Sequence, residues 1–311
     1  MQTHVLIVTF VIAFFLHYGV QKLFVYYKRF DNFNNRSTHK TLATRTGGIG
    51  IFLSVFFTAV YFYLIQIKLF DYSLFIPLSI MFIVGVYDDL YNADFKLKFL
   101  LQVIVAKILI DHGYVISNYH GLFGLYEVPW LLAQVSTVFV FLVVVNAINF
   151  IDGIDGLAIT EAIKIILLTL FFSSNHLESE LLAKLILAST LPLYYFNFKS
   201  NNKVFLGDAG SLFLGTFIMI LVLTIFRPEF QFTAGLNMNK TLFSVVLLLY
   251  PLTDLLRVFI IRIKNKKSPF KPDKNHIHHH ALKLTNNHFI VSLSLNVLTT
   301  LILLFYVYSS N

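Results

Sequence analysis

Residues 128–150 read VPWLLAQVSTVFVFLVVVNAINF, a run without a charged side chain. A helix needs about 17–25 mostly apolar residues to cross a bilayer, so this run predicts a transmembrane helix. The chain continues as IDGIDGLA (151–158), in which Asp152 and Asp155 each precede a glycine. A carboxylate at the bilayer centre costs roughly 2.5–3.5 kcal/mol, so two of them beside this run indicate a functional site at the helix end.

Gly153 and Gly156 disfavour a continuous helix through this segment. We therefore predict a helix end, a tight turn and a new helix that begins near Asp155. A purely structural role, as the cap of that helix, is an alternative for Asp155. Asn149 and Asp152 precede the cap, and their side chains favour a site for a ligand rich in hydroxyl and amide groups.

The composition of the whole chain is that of a membrane protein. Its 311 residues are 57% hydrophobic and 13% charged, with a mean hydropathy of +0.73, whereas soluble domains carry about 25% charged residues. We predict an all-α, polytopic integral membrane protein with one transmembrane domain over residues 1–311. The absence of cysteine excludes disulfides and thiolate metal sites. The ten candidate spans are 4–27, 47–67, 73–87, 97–112, 129–148, 157–174, 181–197, 211–227, 240–262 and 289–309.

Positive charges are unevenly divided between the two alternating sets of connections. Of the 24 Lys and Arg residues, 16 fall in one set and three in the other. The positive-inside rule places the first set in the cytoplasm and both termini outside. The rule also accounts for the net charge of +8, so no nucleic-acid partner is expected. The basic set comprises 28–46, 88–98, 149–156, 198–210 and 262–288.

The carboxylates, histidines and basic residues that could form a site cluster on this predicted cytoplasmic side. This clustering predicts one site at the membrane surface. A proton- or metal-coupled transporter is the alternative from another class, and it would need charged groups at mid-bilayer that reach both faces. The clusters are RSTHKTLATRTGGIG (36–50), YDDLYNADFKLK (87–98), NFIDGIDG (149–156), FLGDAGS (205–211) and DKNHIHHH (273–280).

Asp88 and Asp89 end the third candidate span. Adjacent carboxylates raise each other's pKa unless cations or hydrogen bonds hold them. A divalent metal, or the nearby Lys96 and Lys98, would compensate the pair, and lysines there also suit phosphate groups. A pair that merely marks a helix end is the structural alternative.

Asp208 lies between Gly207 and Gly210. Mg²⁺ takes hard oxygen ligands, usually one or two carboxylates plus substrate phosphates, which makes Asp208 a candidate ligand. The glycines permit close backbone approach, and a helix that opens at Ser211 would point its N-terminus at an anion. A helix cap is again the structural alternative.

The segment NHIHHH (275–280) lies in a polar stretch, Arg262 to His288, that we expect to be a loop. Zinc is one interpretation, but the chain has no cysteine and the carboxylates elsewhere suit Mg²⁺ better. Imidazoles among lysines also suit contact with phosphate oxygens.

The five motifs, in this order, resemble those of the polyprenyl-phosphate N-acetylhexosamine-1-phosphate transferases, bacterial membrane enzymes that start cell-envelope glycan synthesis. The resemblance runs from about Arg36 to Leu284 and includes Gln102 after the aspartate pair and its lysines. It implies ten or eleven helices in the bacterial inner membrane, with a cytoplasmic active site. A polyprenyl phosphate would attack the sugar-proximal phosphorus of a UDP-N-acetylhexosamine, giving UMP and a polyprenyl-diphospho-sugar, with Mg²⁺ or, as a substitute, Mn²⁺.

The resemblance also implies a role for each matching residue. Asp208 would bind the metal, and the aspartate pair would lie where the lipid phosphate meets it, as base or positioning group. The histidines would contact the diphosphate or the sugar. The implied catalytic residues are Asp88, Asp89, His276, His278 and His279. The implied substrate-binding residues are Arg45, Lys96, Lys98, Asn149, Asp152, Asp155 and Phe205, the last near the uracil.

Two departures from the family pattern matter: Asn92 replaces a frequent third carboxylate, and Thr44 precedes Arg45 where proline is usual. The form NHIHHH resembles the branch that uses UDP-GlcNAc more than the LHHH of the MurNAc-pentapeptide branch. UDP-GlcNAc and undecaprenyl phosphate are therefore favoured, with UDP-FucNAc, UDP-QuiNAc or UDP-MurNAc-pentapeptide as alternatives. A homodimer is left open.

Overall fold

A computed structural model describes residues 2–31, 42–174, 179–268 and 273–310. The protein is mostly helical, as its apolar runs predict. The helices are α1 (Gln2–Tyr26), α2 (Gly47–Leu64), α3 (Phe75–Tyr91), α4 (Phe95–Asp111), α5 (Trp130–Ile151), α6 (Leu157–Phe172), α7 (Glu180–Thr190), α8 (Leu193–Phe198), α9 (Gly207–Phe226), α10 (Lys240–Leu247), α11 (Leu249–Lys264), α12 (Ile277–Thr285) and α13 (His288–Ser309). The strands are β1 (Ala43–Thr44), β2 (Asn118–Leu122), β3 (Leu125–Glu127) and β4 (Lys203–Val204).

Seven helical segments within the described residues are long and apolar enough to cross a membrane, and an eighth is added if α10 and α11 form one span. Those two helices are bent by 71°. Pro251 lies in the first turn of α11 and has no N–H for the carbonyl of Leu247, which explains the break. The protein is therefore a multi-pass membrane protein.

Each of the ten predicted spans overlaps a helix, but α4 and α6 have only 17 and 16 residues. The number of crossings and the outer location of the termini therefore stay predictions. The helices at the periphery of the protein can be identified from their exposed side chains. α1 and α13 leave side chains such as Phe15 and Phe305 exposed, as helices that face lipid do.

Helix α9 forms the centre of the protein and packs against α2, α3 and α5. Of its most apolar stretch, 94% is buried. Close packing depends on glycine: a Cβ on Gly48 would overlap the backbone of Gly210, and one on Gly85 would overlap the backbone of Asp208 and Ala209. The first turn of α9 is thus fixed by backbone contact with two other helices.

The two sets of connections lie at opposite ends of the helices. At one end β1 pairs in parallel with β4, so the segment before α2 joins the segment before α9. At the other end the hairpin β2–β3 contacts the start of α10, where Thr241 Oγ1 donates to the carbonyl of Tyr119 at 2.8 Å. The polar motifs therefore share one end, while the assignment of that end to the cytoplasm remains a prediction.

Two expectations differ from the structure, and one element of the structure was not expected. The stretch from Arg262 to His288 is not simply a loop, because it contains α12, whose Ile277 and Leu282 pack against the hydrophobic core. Helix α9 begins at Gly207, so Ser211 does not open it. The hairpin within 113–128 was not predicted. Residues 36–41 of the first polar motif lie outside the described residues.

Candidate active site

Asp88, Lys98 and Asp208 meet where α9 begins. Asp88 lies in the last turn of α3, Lys98 in the first turn of α4 and Asp208 in the first turn of α9. The Lys98 ammonium is 2.6 Å from Asp88 Oδ2 and 2.9 Å from Asp208 Oδ2. The other Asp88 oxygen accepts the backbone N–H of Ala93 at 2.6 Å. One lysine thus partly neutralises two carboxylates at the membrane edge.

Asn149, in the last turn of α5, holds the other side of Asp208. Its Nδ2 donates to Asp208 Oδ1 at 2.9 Å and to Ser211 Oγ at 2.8 Å. Both oxygens of Asp208 therefore accept hydrogen bonds from other helices. Four helices, α3, α4, α5 and α9, converge on this carboxylate.

Asp89 has a different environment from its neighbour Asp88. Its two oxygens accept the backbone N–H groups of Asp208, at 3.0 Å, and Ala209, at 2.9 Å. A Cβ on Gly207, whose φ is +72°, would lie 2.7 Å from Asp89 Oδ2, so glycine allows this approach. Arg45 lies 3.6 Å from Asp89 and 2.7 Å from Asp31. Asp89 caps the helix that carries Asp208.

Asp152 follows the last residue of α5, and its carboxylate has no hydrogen-bond partner among the described residues. Burial, together with the negative charges of Asp208 and Asp89, raises the pKa of Asp152 to about 8. A cation among these carboxylates would relieve that repulsion.

Asp155 does not cap α6, because the cap residue is Gly156, with φ of +77°. Its carboxylate instead forms an ion pair with Lys203 and lies 3.3 Å from His288 Nδ1. Burial opposes ionisation of Asp155, but His288 and Lys203 outweigh it and lower the carboxyl pKa. Asp155 ties the turn between α5 and α6 to β4 and α13.

A second cluster of side chains contains His276 and the buried Arg262. Arg262 binds Asp273 through two hydrogen bonds, of 3.0 and 3.2 Å, and its Nη2 lies 3.4 Å from His276 Nε2. His276 Nδ1 is 2.7 Å from Asp254 Oδ2. This histidine is therefore held on both ring nitrogens.

The next two histidines differ in position. His278 is fully buried, with Nδ1 3.1 Å from the hydroxyl of Tyr250, and its ring lies so close to Gly153 that a Cβ there would overlap it. His279 is half-buried. Burial, with further contributions from His276 and Lys274, lowers the pKa of His279 to about 4, so this imidazole is neutral near pH 7.

Eight of the predicted residues line one of two cavities. A cavity of about 420 Å³ is lined by six of them: Asp88, Lys98, Asn149, Asp208, His276 and His279. A second cavity of about 300 Å³ is lined by Arg45 and Asp89. The remaining predicted residues line neither of these two cavities: Lys96, which is exposed, Asp152, Asp155, Phe205 and His278.

Several residues of the larger cavity were not among the predicted site residues. Asn146 pairs with Gln102 at 2.7 Å, and both line it, as do Arg262 and Asp273. Asp254 lies behind His276 and is fully buried. A usable signal was present, because an aspartate within a predicted span, 240–262, is itself unusual.

The larger cavity is lined by carboxylates, cations, amides and imidazoles. Its oxygen donors fit Mg²⁺, which takes carboxylates together with phosphate oxygens. The site opens at the end of apolar helices, where a lipid head group and a water-soluble molecule can meet.

Comparison with known proteins agrees with this geometry. The model of the family described as Glycosyl transferase family 4 matches residues 72–226. The chain is 33% identical over 268 residues to the probable undecaprenyl-phosphate N-acetylglucosaminyl 1-phosphate transferase of Bacillus subtilis, covering 83% of this chain and 71% of that protein. The chain belongs to glycosyl transferase family 4.

Other relatives in this family carry related names. The decaprenyl-phosphate N-acetylglucosaminephosphotransferase of Mycobacterium leprae is 29% identical over 81% of this chain and 70% of its own length. The undecaprenyl-phosphate alpha-N-acetylglucosaminyl 1-phosphate transferase of Escherichia coli K12 is 27% identical over 80% and 68%. As a member of family 4, the protein is a membrane-bound phosphoglycosyl transferase.

Proposed function

We propose that the protein transfers N-acetylglucosamine-1-phosphate from UDP-GlcNAc to undecaprenyl phosphate and releases UMP. The observation that carries the proposal is the cluster of Asp88, Lys98 and Asp208 at the membrane edge of α9. Phosphoryl transfer needs positioning and charge neutralisation more than covalent help, and this cluster offers both. The names of the relatives support the same donor sugar and acceptor class.

In the proposed reaction, an oxygen of undecaprenyl phosphate forms a bond to the sugar-proximal phosphorus. The bond from that phosphorus to the bridging oxygen breaks, and UMP leaves with that oxygen. The acceptor phosphate is already ionised, so Asp88 need not remove a proton from it. We assign Asp88 the role of positioning Lys98, which would contact the phosphates.

Mg²⁺ would be held by Asp208, with Asp88, which shares Lys98 with it, and Asp152 as further candidate carboxylates. When bound, the ion would neutralise the diphosphate and the developing charge on the leaving UMP. Asn149 keeps Asp208 oriented, and Asp89 fixes the helix turn that carries it. Excess chelator should therefore abolish turnover, and Mg²⁺ or Mn²⁺ should restore it.

The proposed donor sugar is GlcNAc. The sequence of the histidine segment, NHIHHH, and the names of the relatives favour GlcNAc over FucNAc, QuiNAc and MurNAc-pentapeptide. The test is to incubate the purified protein with undecaprenyl phosphate and each UDP-sugar, and to identify the lipid product by mass spectrometry. A lipid-linked GlcNAc-1-phosphate product supports the assignment, and another sugar alone would replace it.

The location is part of the same proposal: a bacterial inner membrane, with the site on the cytoplasmic face. Reporter fusions after Ser310 should be active outside the cytoplasm if both termini are external. A reporter active only in the cytoplasm would show that the topology is the opposite and that the site lies on the other face of the membrane.

A further inference from the structure

Asp254 is a buried carboxylate that does not reach the cavity. It lies in α11, is fully buried, and its oxygens make two contacts with the start of α12. Oδ1 accepts the backbone N–H of Ile277 at 2.7 Å, and Oδ2 lies 2.7 Å from His276 Nδ1. Because Asp254 cannot touch a substrate, any effect on the reaction must pass through the two groups that it holds, His276 and the backbone N–H of Ile277.

The contacts of His276 select one tautomer of its ring. Arginine can only donate hydrogen bonds, so Arg262 Nη2, 3.4 Å from His276 Nε2, requires a lone pair on that nitrogen. The proton of the neutral ring then lies on Nδ1, where the carboxylate of Asp254 accepts it. The contacts at Nδ1 and at Nε2 therefore indicate the same tautomer, with the proton on Nδ1.

We propose that Asp254 is a positioning residue that fixes His276 as the Nδ1–H tautomer, so that Nε2 accepts a hydrogen bond from Arg262 and holds that guanidinium at the wall of the larger cavity. This inference rests on the proposed function, and it narrows the ligand chemistry. A guanidinium offers only hydrogen-bond donors and a positive charge, which suit a phosphate oxygen of the UDP-sugar. Arg262 would therefore contact an anionic group of the substrate.

A metal site is the competing interpretation, because Asp254, His276 and His278 offer ligand atoms within 4.8 Å of one another. The contacts oppose it. Both Asp254 oxygens already accept hydrogen bonds, His278 Nδ1 is 3.9 Å from Asp254 and bonds to Tyr250 instead, and a guanidinium lies beside His276.

The substitution Asp254→Asn tests the tautomer without changing size. The amide oxygen would keep the bond from the Ile277 N–H, which turns the amide N–H₂ toward His276 Nδ1. A donor there forces the ring proton to Nε2, so that this nitrogen can no longer accept the hydrogen bond from Arg262. We expect kcat/KM for the UDP-sugar to fall about ten- to a hundredfold.

The first measurement is the double-mutant cycle with His276→Gln. If Asp254 acts through His276, Asp254→Asn has little further effect in the His276→Gln background. Additive losses in the double variant would overturn the proposal. Thr253→Ala, which alters an exposed side chain on the same helix, should leave turnover unchanged.

The second measurement does not depend on activity, so it separates this inference from the proposed function. In 15N-histidine-labelled protein, the signals lost in His276→Gln identify His276. We expect Nδ1–H in the wild-type protein and Nε2–H in Asp254→Asn. An Nε2–H ring in the wild type, or one equivalent of zinc that is lost in Asp254→Asn, would overturn the assignment even if the variant folds poorly.

Discussion

Asp89 caps the helix that carries Asp208: its carboxylate accepts the backbone N–H groups of Asp208 and Ala209 at 3.0 and 2.9 Å. Its neighbour Asp88 instead pairs with Lys98 at the wall of the larger cavity. Two adjacent aspartates at the end of one helix thus have different tasks. One maintains the turn that presents Asp208, and the other faces the reaction.

This division predicts opposite phenotypes for two matched variants. Asp89→Asn replaces one acceptor with an N–H₂ group that faces a backbone donor, so it should destabilise the protein by about 1–2 kcal/mol, as loss of a helix cap does. Asp88→Asn should keep the melting temperature and lower turnover. Thermal unfolding and turnover of both variants in one detergent check this, and equal melting temperatures would contradict the cap assignment.

Lys98 and Lys96 provide a second matched pair. Lys98 bridges two carboxylates, whereas the side chain of Lys96 is exposed. Lys98→Gln should lower turnover by about 10²–10³-fold, the usual loss for one charge-stabilising group. Lys96→Gln should stay close to the wild type in the same assay. Comparable losses in both would show that general positive charge, not the bridge, is what matters.

The packing of α2 on α9 predicts a strict need for glycine at position 48. A Cβ on Gly48 would overlap the backbone of Gly210, which no side-chain rotation relieves. We expect Gly48→Ala to lower the melting temperature and with it the yield of folded protein. A Cβ added at Gly19, in helix α1, would meet no atom of the described residues within 4 Å, so Gly19→Ala should be neutral or slightly stabilising. Equal melting temperatures would contradict the close approach.

The sequence was informative where a residue type occurs in few structural settings in a membrane protein. Apolar runs predicted the helices, and polar side chains at the ends of those runs marked Asp88, Asn149 and Asp208, which the fold brings together. The sequence could not indicate the direction in which each side chain points. Asp88 and Asp89 are identical in type and adjacent in the chain, yet helix periodicity points them to different cavities, and only tertiary packing decides which faces Asp208 as a cap.

The histidine segment shows the same limit. Spacing alone treats His276, His278 and His279 as equivalent, but burial separates them. His278 is enclosed against Tyr250 and Gly153, while His276 and His279 reach the cavity. The partner that orients His276 lies 22 residues earlier in the chain, on another helix, so local sequence could not indicate it.

His279 gives a further prediction. Its pKa lies well below the ordinary value for histidine, so its imidazole is neutral at pH 7 and would offer the substrate a neutral hydrogen bond. His279→Ala should therefore cost about 0.5–1.5 kcal/mol of transition-state binding. A kcat/KM measurement with the UDP-sugar, alongside metal analysis, checks this. One equivalent of zinc, lost in the variant together with several degrees of thermal stability, would contradict a substrate-binding role.

The same shift predicts a pH effect on stability. Because the folded protein binds the His279 proton less readily than the unfolded chain, stability is full above the ordinary histidine pKa and falls as the pH is lowered through it. Between pH 7.5 and 5.5 the wild type should lose more thermal stability than His279→Asn. Identical losses in the two proteins would exclude this contribution.

The most direct test of the central claim follows the sugar-proximal phosphate. UDP-GlcNAc carrying radioactive phosphorus at that position is incubated with undecaprenyl phosphate, Mg²⁺ and either wild-type protein or Asp208→Asn. Transfer of sugar-1-phosphate moves the label into the lipid phase and releases unlabelled UMP, and Asp208→Asn should show almost none of this transfer. Label that stays in water as UDP, or undiminished transfer by Asp208→Asn, would contradict the account.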